Sequence, residues 1–151
     1  MPKTLRELME GKETATPFSP VEPGNHTVQV VDAKYQESRE STKEPGKIVS
    51  PSVRMQLKVT GSDVESEIGR TAFVTLYIDQ DDRRFGFARK GYRLLAGEGL
   101  LDSFSGQYVS NDDIAQRFAA GVVNGQVTVK LGVYTNQNTG EEQNQINKWI
   151  E

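Results

Sequence analysis

The chain contains no cysteine, a single histidine and no long apolar run. The lack of cysteine excludes disulfide scaffolds, thiol catalysis and Cys-ligated zinc or iron–sulfur sites. The one histidine, His26, leaves little for a histidine-based triad, and we expect it to be an exposed residue at the start of a strand. No stretch approaches the ~18 apolar residues of a membrane span, and no secretory leader is visible. We therefore expect no membrane segment, no metal and no other cofactor.

The length and charge of the chain are those of one acidic domain. Its 151 residues include 18 basic and 21 acidic side chains, which gives a net charge of -3. This balance argues against coating nucleic acid through bulk charge, although binding depends on the local potential. Three prolines and a glycine between positions 14 and 24 favour an extended N-terminal arm, residues 1–23, ahead of a single domain, residues 24–151.

Alternation of apolar and polar residues predicts five strands, at 26–35, 51–60, 69–78, 126–134 and 143–150. In the first strand the alternation slips between Val30 and Val31, which indicates a β-bulge. Two helical segments, 86–96 and 111–120, lie between the third and fourth strands. The predicted fold is therefore mostly β, a five-stranded antiparallel OB-fold barrel with a helical insert between strands 3 and 4.

The polar faces of these strands carry aromatic and cationic side chains, while the aliphatic faces fill the predicted interior. Phe73 and Tyr77 are four residues apart in one strand, so they project the same way about 13 Å apart. Flat rings stack on any base and cations neutralise phosphates, which is how single strands are bound without sequence preference. The residues predicted on this basis to contact DNA are Lys34, Arg39, Lys43, Lys47, Arg54, Lys58, Phe73, Tyr77, Lys130, Tyr134 and Trp149.

Structural explanations compete with each of these assignments. Outward aromatics on strands are often cross-strand packing pairs or lie under a terminal arm, and Trp149 could close one end of the barrel. Cations that alternate with apolar residues are often a plain solvated strand face. A basic cluster at positions 83–93 is flanked by Asp79, Asp81 and Asp82, so internal ion pairing is as plausible there as phosphate contact.

Catalytic motifs are few, and we expect no enzyme. Three aspartates between positions 79 and 82 could form a magnesium site. Carboxylates in a turn are more often solvated or paired with neighbouring arginines, and we favour that interpretation. Asp112 and Asp113 are explained by the N-terminus of the second helix. No glycine-rich phosphate loop follows a strand.

Several segments together resemble small phage-encoded single-stranded DNA-binding proteins of OB-fold type. The resemblance covers residues 18–151 and rests on the segments 23–28 (PGNHTV), 54–63 (RMQLKVTGSD), 69–73 (GRTAF), 86–95 (GFARKGYRLL), 124–134 (NGQVTVKLGVY) and 139–149 (TGEEQNQINKW). It implies single-stranded DNA binding in phage replication or recombination, in the cytoplasm of an infected bacterium. It also adds Arg70 and Lys148 to the predicted DNA contacts. The chain departs from many single-strand binders because only Ile150 and Glu151 follow Trp149, where those proteins carry an acidic tail.

The sequence therefore predicts a non-enzymatic protein that binds single-stranded DNA and has phage replication or recombination proteins as possible partners. An alternative is a phage structural or decoration protein whose barrel face binds another subunit, with the same aromatics as interface anchors. A small nuclease that uses the aspartates near position 80 is a third possibility. The N-terminal arm could cover its own domain or a neighbour's, which leaves homo-oligomers open.

Overall fold

The computed structural model describes residues 20–97, 100, 108–136 and 140–151. Of the predicted arm, residues 1–23, positions 1–19 lie outside the described residues, so the role of the arm stays a prediction. The last residues before the first strand are part of the packed body, because Val21 is completely buried.

Five long antiparallel strands form the main sheet, and a two-stranded hairpin stands beside it. The long strands are β1 (Gly24–Gln36), β4 (Ser52–Ser62), β5 (Thr71–Tyr77), β6 (Gln126–Thr135) and β7 (Glu142–Ile150), and the hairpin is β2 (Arg39–Glu40) with β3 (Ile48–Val49). The sheet order is β5-β4-β1-β6-β7. In the chain, α1 (Phe85–Ala96) and α2 (Asn111–Val122) follow β5 and precede β6. This mostly β architecture is consistent with an OB-like fold.

The predicted closure of the sheet into a barrel is wrong for the described strands. β5 and β7 approach each other, yet they remain the two edges of the hydrogen-bonded order. The segment before β1 lies at this seam. The side-chain amide of Asn144 on β7 bonds both the backbone N–H and the carbonyl of Val21, at 2.8 and 2.9 Å. The next N–H, that of Glu22, donates to Glu67 just before β5 at 2.7 Å, so polar contacts to this segment link the two edges in place of a ladder.

The predicted division of each strand into an inner and an outer face is confirmed for β4 and β5. Val53, Met55, Leu57 and Val59 are buried on β4, and Ala72, Val74 and Leu76 are buried on β5. The predicted bulge in β1 is also present, since the pairing of β1 with β4 shifts between Val30 and Asp32.

Helix α2 covers one side of the core and is capped as its sequence requires. The Ser110 side chain accepts a hydrogen bond from the Asp113 N–H at 3.0 Å, and the Asp113 carboxylate accepts one from the Ser110 N–H at 3.2 Å. Such a capping box satisfies two donors that have no partner within the helix. Ile114 and Phe118, one turn apart, are fully buried. Among the helices of the described chain, none is long and apolar enough to cross a membrane.

Two residues expected at the surface are buried. His26 has no exposed area; its Nε2 donates to the Glu22 carbonyl at 2.7 Å, and its Nδ1 pairs with the Ser62 hydroxyl at 2.6 Å. Trp149 is only 2% exposed, packs against Phe87 with ring centroids 5.3 Å apart, and donates its indole N–H to the Phe87 carbonyl at 2.9 Å. The ring is therefore enclosed by the protein, and the predicted outward orientation of Trp149 is wrong.

Trp149 reaches α1 because residue 91 is a glycine. A Cβ added at Gly91 would lie 2.6 Å from Cε2 of the indole. We expect Gly91→Ala to lower the free energy of unfolding by about 1–3 kcal/mol, the usual cost of overpacking, as measured by urea denaturation. Gly86→Ala is the matched control in the same helix, because nothing lies within 4 Å of its added Cβ. Equal stability of the two variants would contradict this account of the contact.

Candidate nucleic-acid interface

The outward residues of β1, β4 and β5 form rows across the three strands, which we call the outer face. Lys34 lies opposite Arg54, and Arg54 lies opposite Thr75. In the next row Gln56 lies opposite Phe73. Phe73 and Tyr77 flank Thr75 on the same side of β5, so both are diagonal neighbours of Arg54, within reach of its long side chain.

Arg54 and Phe73 form the centre of the outer face. The guanidinium carbon of Arg54 lies 4.9 Å from the centroid of the Phe73 ring. This is within the range of a cation–π contact. Arg54 makes no ion pair with any carboxylate of the described residues, and its side chain is exposed. Its charge is therefore available to a ligand that lies across the ring.

Tyr77 extends the aromatic surface along β5. Its side chain is 62% exposed, whereas Phe73 is half-buried and the intervening Val74 and Leu76 point into the core. Two rings on the same side of one strand, four residues apart, are separated by about 13 Å. The predicted orientation of Phe73 and Tyr77 is thus present.

A groove runs along the seam between β5 and the opposite edge of the sheet. Arg54, Phe73 and Tyr77 line one wall, and Tyr134 and Gln143 belong to the other. The Tyr134 hydroxyl donates to the Gln143 side-chain oxygen at 2.8 Å, which fixes the direction of that third ring. The groove therefore brings four of the predicted contacts, Arg54, Phe73, Tyr77 and Tyr134, around one concave surface.

The long loop after β1 folds into the β2–β3 hairpin and carries three of the predicted cations. Arg39, Lys43 and Lys47 are all exposed on it. Lys47 pairs with Glu44 at 3.2 Å, so its charge is partly offset. Gly46 has a φ of 89°, a conformation that favours glycine at the turn.

Asp112 in the first turn of α2 holds the root of this hairpin. Its carboxylate accepts hydrogen bonds from the Tyr35 hydroxyl, and from the Ser38 N–H and hydroxyl at 2.9 and 2.7 Å. The bond from Tyr35 is the main reason why the pKa of Asp112 lies below its usual value. The same bond, together with burial, raises the pKa of Tyr35 to about 12. We call this set of hydrogen bonds from Tyr35 and Ser38 to Asp112 the clamp. The sequence analysis explained Asp112 by the helix terminus alone, because its hydrogen-bond partners are more than 70 residues away in the chain.

Other predicted contacts lie outside the groove. Lys58 is exposed on β4, and Lys130 on β6 lies directly opposite Lys148 on β7. Arg70 is half-buried, and its guanidinium donates to Glu67 at 2.8 Å, which gives it a structural ion pair.

The basic segment at the start of α1 is held mainly by internal ion pairs. Arg84 binds Asp82 at 3.1 Å, and the Glu151 carboxylate lies 3.1 Å from Lys90 and 3.6 Å from Arg93. Internal ion pairing, one of the two interpretations of this cluster, is therefore present. Within the described chain no group of three or more acidic or histidine side chains is arranged to hold a metal ion.

Comparison with known proteins finds distant likeness among solved structures. No protein-family model matches the sequence, and no curated protein matches it. A solved chain titled "Yeast RPA bound to ssDNA" has a TM-score of 0.41 and 8% sequence identity, and the match covers 98% of this chain and 85% of that one. A likeness at this level establishes neither a shared fold nor a shared function.

The clamp at Asp112 makes stability depend on pH in two windows. The pKa of Asp112 is lower in the folded chain than its ordinary 3.8, so its contribution is present above that value and is lost as the pH falls through the folded pKa. The pKa of Tyr35 is raised, so its contribution is present below about pH 10 and is lost as the pH rises through about 12.

We expect Asp112→Asn to unfold at a lower temperature than the parent at neutral pH, with a difference that narrows in acid. A spectrophotometric titration should also show one tyrosine moving from about 12 back toward its ordinary pKa of 10.0. Asp113→Asn serves as a control, because it alters the cap and removes only the smallest of the effects that raise the pKa of Tyr35, without removing a hydrogen bond to it. Unchanged tyrosine titration in Asp112→Asn would refute the clamp.

Proposed function

We propose that this protein is a non-enzymatic, largely sequence-independent single-stranded DNA-binding protein. One observation carries the proposal: Phe73 and Tyr77 project from the same strand beside Arg54, whose charge has no carboxylate partner among the described residues. A surface of rings and an available cation matches what an extended strand offers, which is exposed base faces and a line of phosphates.

The arrangement favours single strands over duplexes. In a duplex the flat faces of the bases are stacked on one another, so Phe73 and Tyr77 could not reach them. An unpaired strand leaves those faces open, and stacking on an aromatic side chain is worth about 1–3 kcal/mol per base. Every base has such a face, so binding by this means is tolerant of sequence.

Phosphate contacts come from the cations of the outer face. Lys34, Arg54 and Lys58 are exposed on β1 and β4, and none of them forms an ion pair within the described part of the chain. Asp32 lines one end of the outer face with Lys34 and Arg54. The three cations thus outnumber the one carboxylate on the face of β1 and β4, whereas Glu141 and Glu142 make the far wall of the groove acidic.

The biological setting that we propose is phage DNA replication or recombination in the cytoplasm of an infected bacterium. The resemblance of residues 18–151 to phage-encoded single-stranded DNA-binding proteins supports this setting. Replication or recombination proteins would then be its partners. Under the alternative of a phage structural protein, the same face would bind a protein subunit and would be indifferent to oligonucleotides.

We expect Phe73→Ala and Tyr77→Ala each to weaken single-stranded DNA binding about 5- to 150-fold, which corresponds to the loss of one stacked base. Fluorescence anisotropy of a labelled oligonucleotide measures this directly. Tyr108→Ala is the matched control, because Tyr108 is 95% exposed and lines neither wall of the groove. Equal affinity of the parent for duplex and single strand, or no binding to either, would contradict the proposal.

Arg54 tests the phosphate contribution separately. We expect Arg54→Gln to reduce the slope of log affinity against log salt concentration by about one, because one fewer phosphate is neutralised. Arg54→Lys keeps the charge and should keep the slope, while it loses the planar contact with Phe73. An unchanged slope in Arg54→Gln would show that Arg54 does not contact the backbone of the strand.

A further inference from the structure

A second concave surface, which we call the cleft, lies beyond Tyr77 between the β2–β3 hairpin and the start of α1. Its lining includes Ile48 and Val49 of the hairpin, Tyr77 of β5, and Phe85 and Phe87 of α1. Ile48 is 64% exposed, which is unusual for an isoleucine in a folded domain. The cleft has a volume of about 480 Å³, within the range of small-ligand sites.

The cleft continues the groove, because Tyr77 lines both of them. A strand that stacks one base on Phe73 and another on Tyr77 is therefore directed toward the hairpin. The next nucleotide would reach the space between Ile48 and Phe85. The two surfaces thus form one path along β5.

The charges of the cleft favour a base over a phosphate. Lys47 is paired with Glu44 at 3.2 Å, and Arg84 is paired with Asp82 at 3.1 Å. Asp79 adds a further carboxylate to the lining. Two cations thus face three carboxylates, those of Glu44, Asp79 and Asp82, so a phosphate gains little there, whereas the apolar walls suit a flat ring.

We propose that the cleft binds the nucleobase of the nucleotide that follows the one stacked on Tyr77. This inference rests on the proposed function and assigns a further base site to it. The hairpin is then a wall of the binding site, and the Asp112 clamp at its root positions that wall.

Oligonucleotide length separates the cleft from the groove. We expect Ile48→Ala to bind an oligonucleotide of about four nucleotides as the parent does, and to bind one of about sixteen roughly fivefold more weakly; these lengths bracket the site sizes of OB folds. Ile68→Ala is the matched control, since Ile68 is an exposed isoleucine that lines neither surface. It should bind both lengths normally.

An abasic nucleotide moved along the longer oligonucleotide identifies the base itself. At one position, loss of the base should weaken binding to the parent and leave binding to Ile48→Ala unchanged, because both changes remove the same contact. Additive losses at every position, or equal effects of Ile48→Ala on short and long oligonucleotides, would overturn the cleft as a base site while leaving the groove intact. If the parent binds no oligonucleotide of either length, the proposed function fails together with this inference.

Discussion

The pairing register of β4 with β5 is the constraint on which the candidate site depends. Gln56 lies opposite Phe73 and Met55 lies opposite Val74, so alternate pairs point to opposite sides of the sheet. A slip of one residue would turn every side chain of β5 to the other face. The burial of Ala72, Val74 and Leu76 on β5 opposes that slip, because the slip would expose these three side chains to water. The same burial that stabilises the fold therefore holds Phe73 and Tyr77 outside.

Two elements around the sheet then determine the shape of the site. The segment at Val21 occupies the seam between β5 and β7 through its contacts with Asn144, and the groove follows that seam. On the other side, Asp112 ties the hairpin to α2. An extended ligand would thus lie along a path whose two ends are set by parts of the chain that are far apart in sequence.

The sequence predicted the strands, the bulge at Val30 and the outward aromatics of β5, because period-two alternation depends only on neighbouring residues. It failed where a distant partner decides the outcome. The alternation of the last strand placed Trp149 on the outer face. Its indole instead packs against α1, because Gly91 leaves room for the ring and the Phe87 carbonyl accepts its N–H. His26 is buried because two polar partners satisfy both of its ring nitrogens. The prediction of a closed barrel failed for the same reason, because no local pattern shows that the segment at Val21 lies between β5 and β7.

Photochemical cross-linking shows whether the outer face of β4 and β5 contacts unpaired bases. A single-stranded oligonucleotide that contains 5-bromodeoxyuridine is irradiated with the protein, and the attached peptides are identified by mass spectrometry. We expect cross-links on the peptide of β5, at Phe73 and Tyr77. Cross-links confined to α1 or to the exposed lysines of β6 and β7, with none on β5, would contradict this expectation.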